Sequence, residues 1–88
     1  MFWVYVLLSL KDQGLYIGQT GDLDLRLRDH KYGKVKLTKS RRPLKLVYWE
    51  QVESREEALI KEKEWKSTGG RRRLRGIIEN RLDKNIKE

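Results

Sequence analysis

Cysteine is absent from the 88 residues, which excludes disulfides and thiolate metal sites and is compatible with a reducing compartment. Long hydrophobic runs are absent too. The apolar stretch from Phe2 to Leu10 is too short to cross a bilayer. It lacks a basic lead-in and a small-residue cleavage site, so it does not read as a signal peptide, and the cytoplasm is the expected location. There is no internal repeat, linker or second domain. The expectation is one domain over residues 1–82 with a modest core, followed by a frayed tail at 83–88. Acidic residues are in deficit: 21 Lys and Arg stand against 13 Asp and Glu, a net charge of +8 with a pI of about 9.9.

That excess is unevenly placed. Residues 21–43 hold eight basic and three acidic side chains, and residues 71–88 hold seven and three, whereas 44–70 hold five and six. Two basic blocks around a near-neutral core suit a polyanion, although a merely solvated surface would carry the same count. The connection 31–43 contributes Lys31, Lys34, Lys36, Lys39, Arg41 and Arg42, with Tyr32 placed to stack on a base and Gly33 to give mobility. It reads as a phosphate-contacting arm or as a solvated loop. Arg71, Arg72 and Arg73 are a second candidate contact.

What is present is concentrated between Val4 and His30. Two aromatic and β-branched runs, Phe2 to Leu8 and Leu15 to Gln19, flank the polar Lys11-Asp12-Gln13-Gly14, a hairpin pattern. Gly18 sits inside the second run, where glycine marks a close approach; here it would leave the Tyr16 hydroxyl approachable. Asp22 is the expected cap of a helix carrying Leu23, Leu27 and His30. Arg26 and His30, four apart, share one face of that helix.

Further on, Pro43 ends the loop and biases Arg42 toward extended geometry. LKLVYWE (44–50) reads as a third strand with Leu44, Leu46 and Tyr48 on one face and Val47 and Trp49 on the other. Trp3 and Trp49 read most simply as sheet core. Ser54 and Glu57 form a capping box for a helix to about Ser67, with Ala58, Leu59, Glu62 and Trp65 on one stripe. A carboxylate on an apolar stripe is costly unless paired or bound to metal. By position alone Glu62 is as readily a salt-bridge partner of Arg26 or a lysine as a metal ligand. Thr68-Gly69-Gly70 reads as a helix stop with a left-handed glycine cap. A last helix follows from Arg71, with a Leu74, Ile77, Ile78 and Leu82 stripe. The order β-β-α-β-α-α gives an α+β domain: a mostly antiparallel three-stranded sheet flanked by three helices.

Val4-Tyr5-Val6, Tyr16-Ile17-Gly18, Arg26 and His30 together resemble the GIY-YIG nuclease signature. The second half is literal; the first keeps only its tyrosine. The arginine ten positions after the second tyrosine and the histidine four further on both match. The segments RRPLKLVYWE, EALIKEKEWK and GGR resemble those of small stand-alone members. The resemblance implies the same fold and a metal-dependent endonuclease acting on DNA in repair or processing, with no membrane and no small-molecule cofactor. It favours Glu62 as ligand of Mg²⁺ or Mn²⁺ and makes Tyr5, Tyr16, Arg26, His30 and Glu62 the catalytic set. In that set Arg26 would hold the phosphate and a phenol would activate water, provided its surroundings lower its pKa. Arg26 and the metal are expected to do so. Tyr16 is the favoured base, Tyr5 its hydrogen-bonding partner, and His30 a proton shuttle or phosphate contact. The family's C-terminal asparagine has two candidates, Asn80 and Asn85. A module that binds nucleic acid without cutting it is the alternative.

Overall fold

A computed structural model of the chain describes residues 1–87, with side chains described through Asn80. β1 (Phe2–Ser9) lies in the middle of the sheet, between β2 (Leu15–Thr20) and β3 (Leu44–Val52). Both pairings are antiparallel. β1 takes the centre because Val4 to Leu7 is a continuous apolar run: all four are buried, two on each face, as a strand covered on both sides requires. α1 (Leu23–Lys31), a single turn α2 (Lys36–Lys39), α3 (Arg55–Lys66) and α4 (Thr68–Lys87) complete the chain. The architecture is the expected α+β one, with α2 as an added turn. None of the described helices is long and apolar enough to cross a membrane. The tail at 83–88, Leu82 and Asn85 lie outside the fully described residues.

One face of the sheet carries the main core. Val4, Val6, Leu15 and Ile17 meet Ala58 and Trp65 of α3 and Leu74 and Ile78 of α4. Each fully buried aliphatic side chain there contributes about 1.5–3 kcal/mol. Trp65 stacks edge-on against Tyr48, 5.6 Å between centroids, and the Glu50 carboxylate accepts from the Trp65 indole and the Tyr48 hydroxyl. The opposite face carries Tyr5, Leu7 and Tyr16 under α1. α1 leaves the β3 side of this face open as two clefts of about 350 and 470 Å³ that share Leu27 and Leu46.

Several sequence expectations are corrected here. In β3, Val6 pairs with Tyr48 but Leu7 pairs with Leu46, so Val47 is an extra, bulged residue. The bulge resets the alternation. Leu44, Leu46 and Trp49 face α1, whereas Val47 and Tyr48 both pack on the core. Trp49 is 50% exposed and Trp3 is half-buried, both lining the larger cleft, so neither is a core residue. The expected glycine stop is not one: Gly69 and Gly70 lie inside α4, and neither has positive φ. Ser67, extended at φ −67° and ψ 161°, breaks the chain direction. Its hydroxyl donates to the Glu64 carbonyl and accepts from the Gly70 amide. Gly70 is needed for packing instead, since a Cβ there would run into the Glu64 carbonyl.

The connection 31–43 is no loose arm. Gly33 (φ +75°) ends α1 in the left-handed region that favours glycine, donating to the His30 carbonyl. Its task is a turn, not mobility. Val35 and Thr38 are buried, and Ser9 donates to the Arg41 carbonyl at 2.7 Å. Arg41 pairs with Asp12 at 2.9 Å, which holds that carboxyl down at about 2. Arg42 donates to the carbonyls of Lys39 and Lys31. Both arginines, expected to contact phosphates, are committed to holding the loop.

Candidate active site

The site is assembled by three neighbouring elements. Tyr5 on β1 lies opposite Gly18 on β2. A Cβ on Gly18 would sit 2.6 Å from the Tyr5 hydroxyl oxygen, so this glycine makes room for the Tyr5 ring rather than exposing Tyr16. Asp22 caps α1 by accepting from the Leu25 amide at 3.1 Å, which starts the helix directly after β2 and sets Arg26 and His30 over the sheet. The Tyr5 hydroxyl lies 2.8 Å from His30 Nε2. The rings of Tyr5 and Tyr16 are 6.3 Å apart, and His30 stands edge-on to both, at 5.5 and 5.2 Å. Tyr5 and His30 are each 1% exposed, whereas Tyr16 and Arg26 reach the surface.

Burial and charge set the protonation states. Burial pushes the Tyr5 phenol up to about 12, although its hydrogen bond from Arg26 works the other way. The expectation that Arg26 lowers a phenol is therefore overridden at Tyr5. Burial first, and then the Arg26 charge, bring His30 down to about 4. Hydrogen bonding to Tyr5 keeps Arg26 firmly charged. At neutral pH the cluster is thus a neutral phenol, a neutral imidazole and a guanidinium. Both imidazole nitrogens are engaged, Nε2 by Tyr5 and Nδ1 by Thr38 Oγ1 at 2.7 Å, which leaves His30 no nitrogen for a phosphate contact.

An acid dependence follows. His30 titrates near 6.5 when unfolded and near 4 when folded, so between these values the unfolded chain binds the proton more readily. Its contribution to stability is complete above pH 6.5 and is lost as pH falls toward 4, on the order of 3 kcal/mol. Urea denaturation at several pH values, wild type beside His30→Gln, checks this. The variant is expected to show the shallower loss, and identical slopes would refute the assignment.

Glu62 comes from the other layer. α3 packs against β1, β2 and α4, and the Glu62 charge is felt at Tyr5, where it raises the phenol. The side chain is 19% exposed and pairs with Lys66 at 3.0 Å, the lysine alternative weighed from sequence. Leu59, expected on its apolar stripe, is 48% exposed. Among the described residues no three His, Cys, Asp or Glu side chains could enclose a metal. What exists is one carboxylate, with the buried, unpartnered Gln19 Oε1 on the sheet face that α3 covers. All donors are hard oxygens. That fits Mg²⁺ or Mn²⁺, which take one or two carboxylates and complete their shell with water and phosphate oxygens.

The remaining predicted contacts sort by availability. Lys34, Lys36 and Lys39 are exposed around α2, and Lys31 reaches over the exposed Tyr32 ring at 5.8 Å. Arg72 is exposed; Arg73 lies 5.0 Å over Trp65, and Arg71 donates to the Lys66 carbonyl. Asn80 is exposed on α4. Thr38 is the residue that sequence reasoning missed. The available signal was its spacing of three from Val35, which makes both point inward from one helical turn.

A model of the GIY-YIG catalytic domain matches residues 1–75, a span that contains every residue of this cluster. A UPF0213 protein of Staphylococcus haemolyticus is 40% identical over 78 residues, covering 88% of this chain and 94% of its own length. One from Syntrophus aciditrophicus is 40% identical over 80 residues, covering 89% and 91%. The solution NMR structure of a UPF0213 protein from Bacillus halodurans is similar with a TM-score of 0.54 at 37% identity, covering 88% of this chain and 85% of that one. With the tyrosine pair, the Arg26 and His30 helix and Glu62 all inside the matched span, the chain belongs to the GIY-YIG family.

Proposed function

We propose that this chain is a divalent-metal-dependent endonuclease that hydrolyses phosphodiester bonds of DNA in repair or processing. The observation that carries the reading is the convergence of Tyr5, Tyr16, Arg26 and His30 from three elements; Glu62 on α3 adds a carboxylate whose charge acts, least of the causes, on Tyr5. Arg26 supplies a planar, permanently charged fork for the phosphoryl oxygens. Tyr5, held neutral and buried, acts as a hydrogen-bonding partner and not as a base. Tyr16, at the surface, is the group left to activate water. Glu62 would hold the metal, which supplies charge neutralisation at the phosphate and the departing oxygen.

Binding is assigned to phosphate contacts from Lys31, Lys34, Lys36, Lys39 and the arginines at 71–73, because the +8 charge comes with no base-reading motif. Affinity for DNA is expected to fall steeply between low and high salt, read by fluorescence anisotropy. Salt-independent binding would remove the polyanion assignment.

The test of the reaction is direct. Purified protein is incubated with labelled linear, nicked, flapped, branched and single-stranded DNA, with Mg²⁺ or Mn²⁺ and with chelator. Cleavage of at least one substrate, abolished by chelator, is expected. Binding of DNA with every substrate left intact would identify a non-catalytic nucleic-acid-binding module instead.

A further inference from the structure

We infer that Thr38 is a positioning residue of the tyrosine site: by accepting the Nδ1 proton of His30 it fixes the imidazole tautomer, and with it the direction of the Tyr5 hydroxyl. Thr38 is fully buried on α2, eight residues beyond His30, and its Oγ1 lies 2.7 Å from Nδ1. Either partner of that contact could in principle be the donor, and the other side of the ring decides which is. Tyr5 Oη sits 2.8 Å from Nε2, with the Arg26 charge beside it. A phenol is a far stronger acid, and so a stronger donor, than an alkyl hydroxyl, and a neighbouring positive charge draws its oxygen lone pairs rather than its hydrogen. The phenol hydrogen then needs an acceptor of its own, and the bare Nε2 lone pair provides it.

In the other tautomer Nε2–H would donate to the Tyr5 oxygen and turn the phenol hydrogen toward the Arg26 charge. The phenol hydrogen would be left without a partner in a buried site, at a cost of about 1–3 kcal/mol. Threonine is the better placed to accept: its alkyl hydroxyl is the weaker donor of the two, and its Oγ1 lies against His30 Nδ1. The resulting chain runs Tyr5 O–H to His30 Nε2, then His30 Nδ1–H to Thr38 Oγ1. It leaves the lone pairs of Tyr5 facing Arg26. It also ties α2, whose exposed Lys36 and Lys39 stand on either side of Thr38, to the orientation of the site.

His30 is the single histidine of the chain, so its ring nitrogens are read without ambiguity in a long-range ¹⁵N–¹H correlation spectrum at pH 7. Protonated Nδ1 and bare Nε2 are expected. Thr38→Val removes the acceptor and is expected to shift the ring toward the Nε2–H form; Thr38→Ser restores the wild-type pattern. Thr38→Ala carries the same expectation as Thr38→Val should the valine variant fold poorly. The consequence for cleavage rests on the nuclease reading above: Thr38→Val is expected to lose roughly 10–100-fold in rate, the range for removing an outer partner that orients an imidazole, with DNA binding unchanged and Thr38→Ser active. A wild-type ring protonated on Nε2, or a tautomer indifferent to Thr38→Val and Thr38→Ala, overturns the inference. The expected tautomers in a protein that cuts no DNA would uphold the role of Thr38 at His30 and refute the nuclease reading.

Discussion

Glu62→Gln is expected to abolish metal-dependent cleavage while the protein still folds and still binds DNA. The substitution keeps shape and removes the single carboxylate whose charge reaches Tyr5. What the fold loses is one helical i,i+4 bridge to Lys66, worth about 0.3–0.5 kcal/mol, and it gains relief from a partly buried charge. A thermal melt should therefore move little in either direction. The rate should drop by at least the ~10²–10³-fold that follows loss of one preorganised charge stabiliser. Lys66→Met separates the two roles of Glu62. If Glu62 matters only as the partner of Lys66, the lysine variant is as inactive as the glutamine one. If Glu62 is a metal ligand, Lys66→Met keeps its activity or gains some, because a competitor for the carboxylate has gone. Cleavage that persists unchanged in Glu62→Gln would assign it to another site or to a contaminating nuclease.

The parts of this arrangement legible in the sequence are those fixed by local chemistry. Asp22 and Ser54 cap their helices because a short oxygen side chain meets an orphan amide three residues on. Apolar runs broken by Lys11-Asp12-Gln13-Gly14 form a hairpin because nothing else satisfies both their burial and their backbone. Arg26 and His30 share one helix face because they are four apart on a helix that Asp22 starts directly after β2. What the sequence hid depends on contacts between distant segments. The bulge at Val47 comes from how β3 registers on β1, which no window of residues reveals. Arg41 looks like a phosphate contact until Asp12, 29 residues away, is beside it. Gly18 looked like an opening for Tyr16 and is a recess for Tyr5, because cross-strand neighbours are set by register. Thr38 stands among lysines, so its one signal is the spacing of three from Val35.

The protonation states reorder the catalytic assignment in the same way. From sequence, either tyrosine could serve as base. Tyr5, pushed up to about 12 by burial, is unsuited to that at neutral pH, whereas its hydrogen bond to His30 ties β1 to α1. On the proposed reading, the charge that the reaction needs is left to Arg26 on α1 and Glu62 on α3.

Arg26→Ala is expected to cost about 10²–10³-fold in cleavage rate, comparable to losing one preorganised donor to a transition-state oxygen. Two effects add. The phosphate loses its fork, and the cation that hydrogen-bonds Tyr5, and Tyr16 less strongly, is gone. The second effect leaves its own signature. Without the neighbouring positive charge the His30 pKa should rise, because that charge is one cause of its depression, and the pH at which the single imidazole titrates by NMR should move up. Arg26→Lys keeps a charge but presents a point ammonium in place of a planar fork, so it should recover the His30 titration more fully than the cleavage rate. DNA affinity should be nearly unchanged in both variants, because the exposed lysines around α2 and the arginines of α4 are intact. A loss of binding as large as the loss of rate would make Arg26 an anchor for DNA and not a stabiliser of the reacting phosphate. Full cleavage in Arg26→Ala would take the catalytic assignment away from this helix altogether.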